Sequence, residues 1–146
     1  MHDQFPIPDI WHQHRVSYGE TDAMGVLYYA EYLHLFERSR NTYIHACGMS
    51  YATVEQRGVF LPVREAQCRY HFPARYDDLV LVRTAISERG RASLRFVYEI
   101  WNEDKTRLLT SGMTQHAIVN REGRPMPMPD WFRALSPNSI ESRLPS

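Results

Sequence analysis

Between Tyr18 and Arg40 the chain reads YGETDAMGVLYYAEYLHLFERSR, the densest run of chemistry-bearing residues in the sequence. Asp22 is followed three positions later by Gly25, then by the apolar group Val26, Leu27, Tyr28 and Tyr29, and a helical pattern begins just after. The first backbone N–H groups of a helix lack internal partners and sit at the positive end of its dipole. Such a terminus can hold an oxyanion formed from a carbonyl. A carboxylate in the loop just before it would face the same carbonyl. Hydrolysis of an acyl group asks for this pair: one group attacks or deprotonates water, and the other holds the developing charge. By spacing alone, a plainer reading stands beside it. An aspartate in a loop before a helix serves most often as a cap or turn residue, and Glu20 reads as a surface carboxylate.

Other chemistries find less support. Glu37, in the helical stretch, is a second candidate carboxylate, although an ion pair with Arg38, Arg40 or a strand arginine is the plainer reading. Arg40 could also pair with Glu37, or with Asp22 across a dimer. The seven histidines form no HExxH, and the pair His12 and His14, two apart on a probable strand face, lacks a third ligand, so no metal site is expected. Ser93, Ser111, Cys47 and Cys68 lie in no nucleophile-elbow context. No glycine-rich phosphate loop joins a strand to a helix, so no bound cofactor is expected.

Elements must hold these residues in place. Residues 1–10, with Pro6 and Pro8, read as an extended lead-in, and Trp11 to Tyr18 as a first strand. Gly19 to Gly25 is a tight loop. From Tyr32 the period becomes helical: Tyr32, Leu35, Phe36, Ser39, Tyr43, Ala46 and Cys47 fall near one face, and Gly48 stands where a C-terminal glycine belongs. Ser50 to Gln56 adds a short helical turn closed by Gly58. The remainder reads as four strands: Phe60 to Phe72, Leu79 to Ser87, a strand about Leu94, Phe96, Tyr98 and Ile100, and Leu108 to Asn120. Asp77-Asp78, Arg89-Gly90-Arg91, Asn102 to Lys105 and Arg121-Glu122-Gly123 supply turns, and Trp131 to Leu135 one helical turn. An antiparallel sheet with one apolar face needs a cover, and the helix between Tyr32 and Cys47 is the candidate. One helix does not cover the whole sheet, so a dimer or tetramer is expected, built by edge pairing.

Composition narrows the class. With 146 residues, 43% of them hydrophobic and 12% aromatic, the chain is expected to form a single domain over 1–146. The 17 basic and 17 acidic side chains balance, which argues against non-specific nucleic-acid binding. Two cysteines without a CxxC pair read as buried free thiols in a reducing compartment, with one disulfide as the alternative. The opening MHDQFPIPDI lacks a signal-peptide pattern, and no apolar run is long enough for a membrane helix. A cytoplasmic location without a membrane partner is expected.

The run TDAMGVLYYAEYLHLFERSR resembles the signature of the acyl-CoA thioesterases related to 4-hydroxybenzoyl-CoA thioesterase, in the hotdog superfamily. The resemblance extends over Pro62, Val63 and Arg64, over Tyr70 with the PARYDD turn at 73–78, and over the late RPMPMP run. It implies an α+β hotdog fold, an antiparallel five-stranded sheet wrapped around one long central helix. It implies hydrolysis of an acyl-CoA thioester, with Asp22 as nucleophile or general base. It also implies that the backbone N–H of Tyr29 holds the thioester oxygen, over a turn shaped by Gly25. Many bacterial relatives carry histidine where this chain has Tyr29, so a side-chain role at that position does not transfer. Tyr28, Glu37, Arg64 and Arg91 are then candidates to meet the substrate, Arg64 and Arg91 together with Arg69, Arg89 and Arg121 as partners for the phosphates of CoA. An acyl-carrier-protein thioesterase and a non-catalytic acyl-thioester binder are the alternatives.

Overall fold

The computed structural model describes residues 5–137, and every structural statement below concerns these residues. Five strands form one antiparallel sheet: β1 (Asp9–Arg15), β2 (Val63–Tyr70), β3 (Leu79–Arg89), β4 (Ser93–Asn102) and β5 (Leu108–Ala117), in the spatial order β1-β3-β4-β5-β2. The long helix α1 (Glu31–Ala46) lies against one face, α2 (Tyr51–Gln56) follows it, and the single turn α3 (Asp130–Arg133) comes after the sheet. This is the hotdog fold, with α1 as the central helix.

Helix α1 forms where the apolar residues keep a 3.6-residue period. Tyr32, Leu35, Phe36, Ser39, Tyr43 and Ile44 are buried, while Leu33, His34, Glu37, Arg38, Asn41 and His45 remain exposed. Gly48 stops it with φ +89°, a backbone state that glycine enters without a Cβ penalty. Strand β4 alternates strictly: Leu94, Phe96, Tyr98 and Ile100 are buried and their neighbours partly open, so one face meets the helix.

Helix and sheet meet closely at Phe36. Its ring stacks on Tyr98 with centroids 4.1 Å apart and planes within 5°. Gly112 on β5 makes room for this ring. A Cβ there would lie 2.5 Å from the Gln67 carbonyl oxygen and 2.7 Å from two carbons of Phe36. Any side chain at 112 would push either β2 or α1 outward.

A row of polar groups runs through the same layer. Arg40 Nη1 donates to Tyr98 Oη at 3.1 Å, Tyr98 Oη lies 2.6 Å from Thr114 Oγ1, and Thr114 Oγ1 lies 2.8 Å from His116 Nε2. His116 Nδ1 stands 3.0 Å from the Leu61 carbonyl. A carbonyl only accepts, so Nδ1 carries the proton, Nε2 accepts from Thr114, and Thr114 accepts from Tyr98. Burial pushes the His116 imidazole down to about 4, against a smaller opposing pull from the Leu61 carbonyl, so the ring is neutral near neutral pH.

Several boundaries depart from the sequence reading. β1 begins at Asp9, because the lead-in already pairs with β3, Asp9 opposite Ala85 and Ile10 opposite Thr84. β2 is confined to Val63–Tyr70; Phe60 instead makes an isolated bridge to Val119, and Pro62 withholds a donor between them. β3 continues to Arg89 past a bulge between Ile86 and Glu88, and β5 stops at Ala117. Cys47 and Cys68 are free thiols, as read, but each is only partly buried.

Candidate functional site

The loop carrying Asp22 is built from short-range backbone bonds. Asp22 N–H donates to Val26 O at 2.9 Å, and Gly25 N–H donates to Asp22 O at 3.0 Å. Gly25 turns the corner with φ +79°. Its N–H closes the Asp22 loop, so it shapes the carboxylate's turn. On the side chain, Oδ1 accepts from Met24 N–H at 2.8 Å and from Val26 N–H at 3.4 Å, an Asx turn. The turn reading of Asp22 is therefore correct as far as it goes. Oδ2 carries no hydrogen bond among the described residues.

Helix α1 opens beside this loop without a side-chain cap. Its N-cap position is Ala30, in helical φ and ψ. Tyr28 N–H is taken by Glu20 O and Glu31 N–H by Tyr28 O, both at 2.9 Å. Among the described residues no backbone carbonyl accepts from the N–H of Tyr29 or of Ala30. Unfilled amides of this kind attract an anionic or strongly polarised oxygen.

Asp22 and Tyr29 line one cleft of about 250 Å³, together with Val26, Leu27, Tyr32, Tyr70, His71, Phe72 and Pro73. Its walls are mostly aromatic. Tyr70 presents its edge to Tyr32 at 5.0 Å and to Tyr29 at 6.5 Å, and its hydroxyl donates to Tyr29 O at 3.0 Å. Burial raises the Tyr70 phenol well above its ordinary range, with Cys68 and the neighbouring tyrosines adding to the rise. Burial also raises the Tyr32 phenol, so both stay protonated donors at any working pH.

The other sequence candidates fall elsewhere within the chain. Tyr28 packs on Tyr29 at 4.9 Å but is not part of the cleft wall. Glu37 lines a different cavity, about 490 Å³, with Arg38, Arg40, Asn41, Tyr51, Glu55 and Leu61. The expected ion pair of Glu37 with an arginine does not form among the described residues. Arg40 turns inward to Tyr98 instead, and Arg38 turns back toward Glu20. Arg64 lies exposed near the start of β2, and Arg91 is exposed in the β3–β4 turn; neither lines the Asp22 cleft.

Sequence reasoning missed Tyr32, Tyr70, His71 and Phe72 as cleft residues. The signal was present in part: Tyr70 is two residues beyond Cys68, hence on the same face of β2, and that face looks toward α1. It also took Glu20 for a surface residue and gave His12 and His14 no partner outside their strand. Both histidines in fact reach other elements, His12 Nδ1 to Thr42 Oγ1 on α1 at 3.0 Å and His14 Nε2 to Glu20 Oε1 at 2.9 Å. No cluster of three metal-ligating side chains occurs among the described residues, nor any helix long and apolar enough to cross a membrane.

Comparison with known proteins bears on this geometry. Residues 16–135 match the model of the thioesterase-like superfamily. Over 107 residues the chain is 34% identical to the acyl-CoA thioesterase YbgC of Haemophilus influenzae, covering 73% of this chain and 77% of that protein. Among solved structures, a DHNA-CoA thioesterase from Staphylococcus aureus superposes with a TM-score of 0.80 at 32% identity, covering 86% of this chain and 87% of the other. The Thermus thermophilus protein TT1821 superposes equally well, TM-score 0.80, at 35% identity over 86% of this chain and 96% of that one. On sequence and fold together, the chain belongs to the thioesterase-like superfamily.

Proposed function

We propose that the protein hydrolyses an acyl-CoA thioester to the free acid and CoA, with Asp22 acting on the thioester carbon and the Tyr29 N–H holding its oxygen. One observation carries this reading: Asp22, with a free carboxylate oxygen, and Tyr29, whose N–H just ahead of α1 is unfilled among the described residues, line the same small aromatic cleft. A thioester carbonyl seated there develops negative charge on oxygen as the tetrahedral intermediate forms, and a preorganised N–H stabilises that charge more than it stabilises the ground state. Asp22 either attacks the carbon, breaking the C–S bond to release the CoA thiolate and giving an acyl anhydride that water then cleaves, or deprotonates a water whose attack expels the same thiolate. The tyrosine side chain at 29 has no required part. Relatives described as acyl-CoA and DHNA-CoA thioesterases support a CoA carrier.

Self-association completes the reading. Strand β2 pairs with β5 on one side only, and all its residues except Cys68 are exposed. A long open edge of this kind invites pairing with a second copy. For two copies to join in one sheet with their helices on the same side, the edges must run antiparallel about a two-fold axis. The start of the partner's β2 then lies near this chain's Tyr70, and with it Arg64 of the partner subunit and, on the adjoining β3–β4 turn, Arg91 of the partner subunit. These arginines suit the phosphates of CoA and lie too far from the Asp22 cleft within one chain to do so alone. Glu37 on α1 and Tyr28 in the segment leading into it remain candidates for the acyl end.

The test is thiol release from one acyl group offered on CoA and on a carrier protein, with the parent and Asp22→Asn, across short, long and aromatic acyl chains. The reading expects release from CoA by the parent and near-complete loss in the variant, with substrate binding retained. Parent-level turnover by Asp22→Asn would remove Asp22 from the chemistry, and saturable binding without thiol release would make the protein a binder.

A further inference from the structure

Glu20, two residues before Asp22, does more than decorate the surface. Its carboxylate is largely shielded, with 14% of the side chain exposed, and it meets three separate elements. Oε1 accepts from the Ser17 N–H at 2.8 Å, closing a capping box on the 3-10 turn Tyr18–Glu20. The same oxygen lies 2.9 Å from Nε2 of His14 on β1, and Oε2 lies 3.7 Å from Nη1 of Arg38 on α1. Arg38 Nη1 also stands 3.2 Å from His14 Nδ1, so the three side chains form a closed cluster. The backbone of Glu20 works on the same loop, for its carbonyl accepts from Tyr28 N–H at 2.9 Å. One residue thus ties both the segment before Asp22 and the segment leading into α1 to the rigid part of the fold.

We infer that Glu20 is a positioning residue for the hydrolysis, a clasp that fixes the Asp22 loop against the mouth of α1. The inference rests on the reading of Asp22 and Tyr29 given above. Its physical basis is distance. The carboxylate and the oxyanion donor sit on different segments, and a reacting carbon tolerates misplacement of about an ångström only at a large cost in rate. The Asx turn sets the shape of the loop, and Leu27 N–H donating to Ala74 O at 2.8 Å ties its far end to the turn before β3, but neither bond reaches β1 or α1. Glu20 supplies that link, through β1 on one side and α1 on the other. Because it touches no substrate, its loss lowers turnover and leaves binding alone. Because a glutamine oxygen still accepts from Ser17 N–H and from a His14 N–H, the neutral isostere recovers much of the effect.

The experiment compares Glu20→Ala and Glu20→Gln with the parent in steady-state hydrolysis of an acyl-CoA, in thermal unfolding, and in amide hydrogen exchange at Met24, Val26 and Tyr28. Glu20→Ala is expected to lower kcat by about tenfold or more while KM stays within about twofold, with Glu20→Gln between it and the parent. Exchange at the three amides should quicken in Glu20→Ala while the core of α1 stays protected. Parent kcat with parent exchange would overturn the clasp, and so would a loss of kcat matched by the unfolded fraction. If Glu20→Ala fails to fold, Glu20→Gln and Arg38→Gln decide it by the same exchange readout. Asp22→Asn run alongside keeps the two readings apart. Turnover in that variant would end the role of Asp22, while exchange still reports whether Glu20 holds the loop.

Discussion

Two helices in this molecule begin in opposite ways. The short α2 is capped: Ser50, in extended φ and ψ, accepts from Thr53 N–H at 3.1 Å. The much longer α1 is preceded by Ala30, which sits in helical φ and ψ and has only a methyl group, so its side chain offers the free amides no acceptor. By propensity alone the longer helix has more to gain from a cap. Its start is left open where a cleft with a carboxylate lies, whereas α2 begins where only packing is at stake. A helix end without a cap and beside a cavity reads as a binding feature once the capped helix next to it shows what the chain does elsewhere.

Four substitutions or conditions would break or sharpen that contrast. The largest effect belongs to Asp22→Asn, expected to lower kcat by about a thousandfold. Its melting temperature should stay near the parent's, since asparagine Oδ1 still accepts from Met24 N–H; steady-state kinetics and thermal unfolding together check this. Next, Gly112→Ala should cost about 3 kcal/mol in denaturant unfolding, because its methyl group meets the Gln67 carbonyl and the Phe36 ring. By displacing α1 it should lower turnover as well, unlike any change at the capped helix. Third, acid should weaken the fold through His116. Its proton affinity is low when folded, about 4, and ordinary when unfolded, so the unfolded chain binds the extra proton between those two values. Stability is therefore full above about pH 6.5 and falls by up to about 3 kcal/mol as pH drops to about 4. His116→Gln should flatten that part of a stability–pH curve. Glu20 acts in the same direction at lower pH. Burial raises its carboxyl, but the bonds from Ser17 and His14 outweigh that and hold it below the usual range. Its contribution is present above the unfolded carboxyl value and is lost as pH falls through the folded one. Smallest is Ser50→Ala, expected to cost about 1 kcal/mol and to leave kcat unchanged.

Much of this was legible in the residues. The 3.6-residue spacing of Tyr32, Leu35, Phe36 and Tyr43 marked α1, and the alternation from Leu94 to Ile100 marked β4, because each element buries one face only. Asp22, Gly25 and Tyr29 lay in one short run, and proximity in sequence became proximity in the loop. The far wall of the cleft was not legible. Tyr70, His71 and Phe72 are some forty residues away, and only the antiparallel return of β2 beside β5 sets them opposite Tyr29. Glu20 and His14 eluded the sequence for a related reason. A carboxylate and an imidazole six positions apart look independent until a strand end and a 3-10 turn fold them together. The fate of Arg40 was hidden as well, since its partner is a phenol across the core, Tyr98.

The row from Arg40 to Leu61 has a sense of direction. Each hydroxyl in it gives to one neighbour and takes from the other, and the guanidinium at its head can only give while the carbonyl at its tail can only take. No member can rotate to face the other way without stranding two neighbours in a dry interior. The helix that borders the cleft is thereby keyed to the far strands of the sheet like a tongue in a groove, in one alignment and no other.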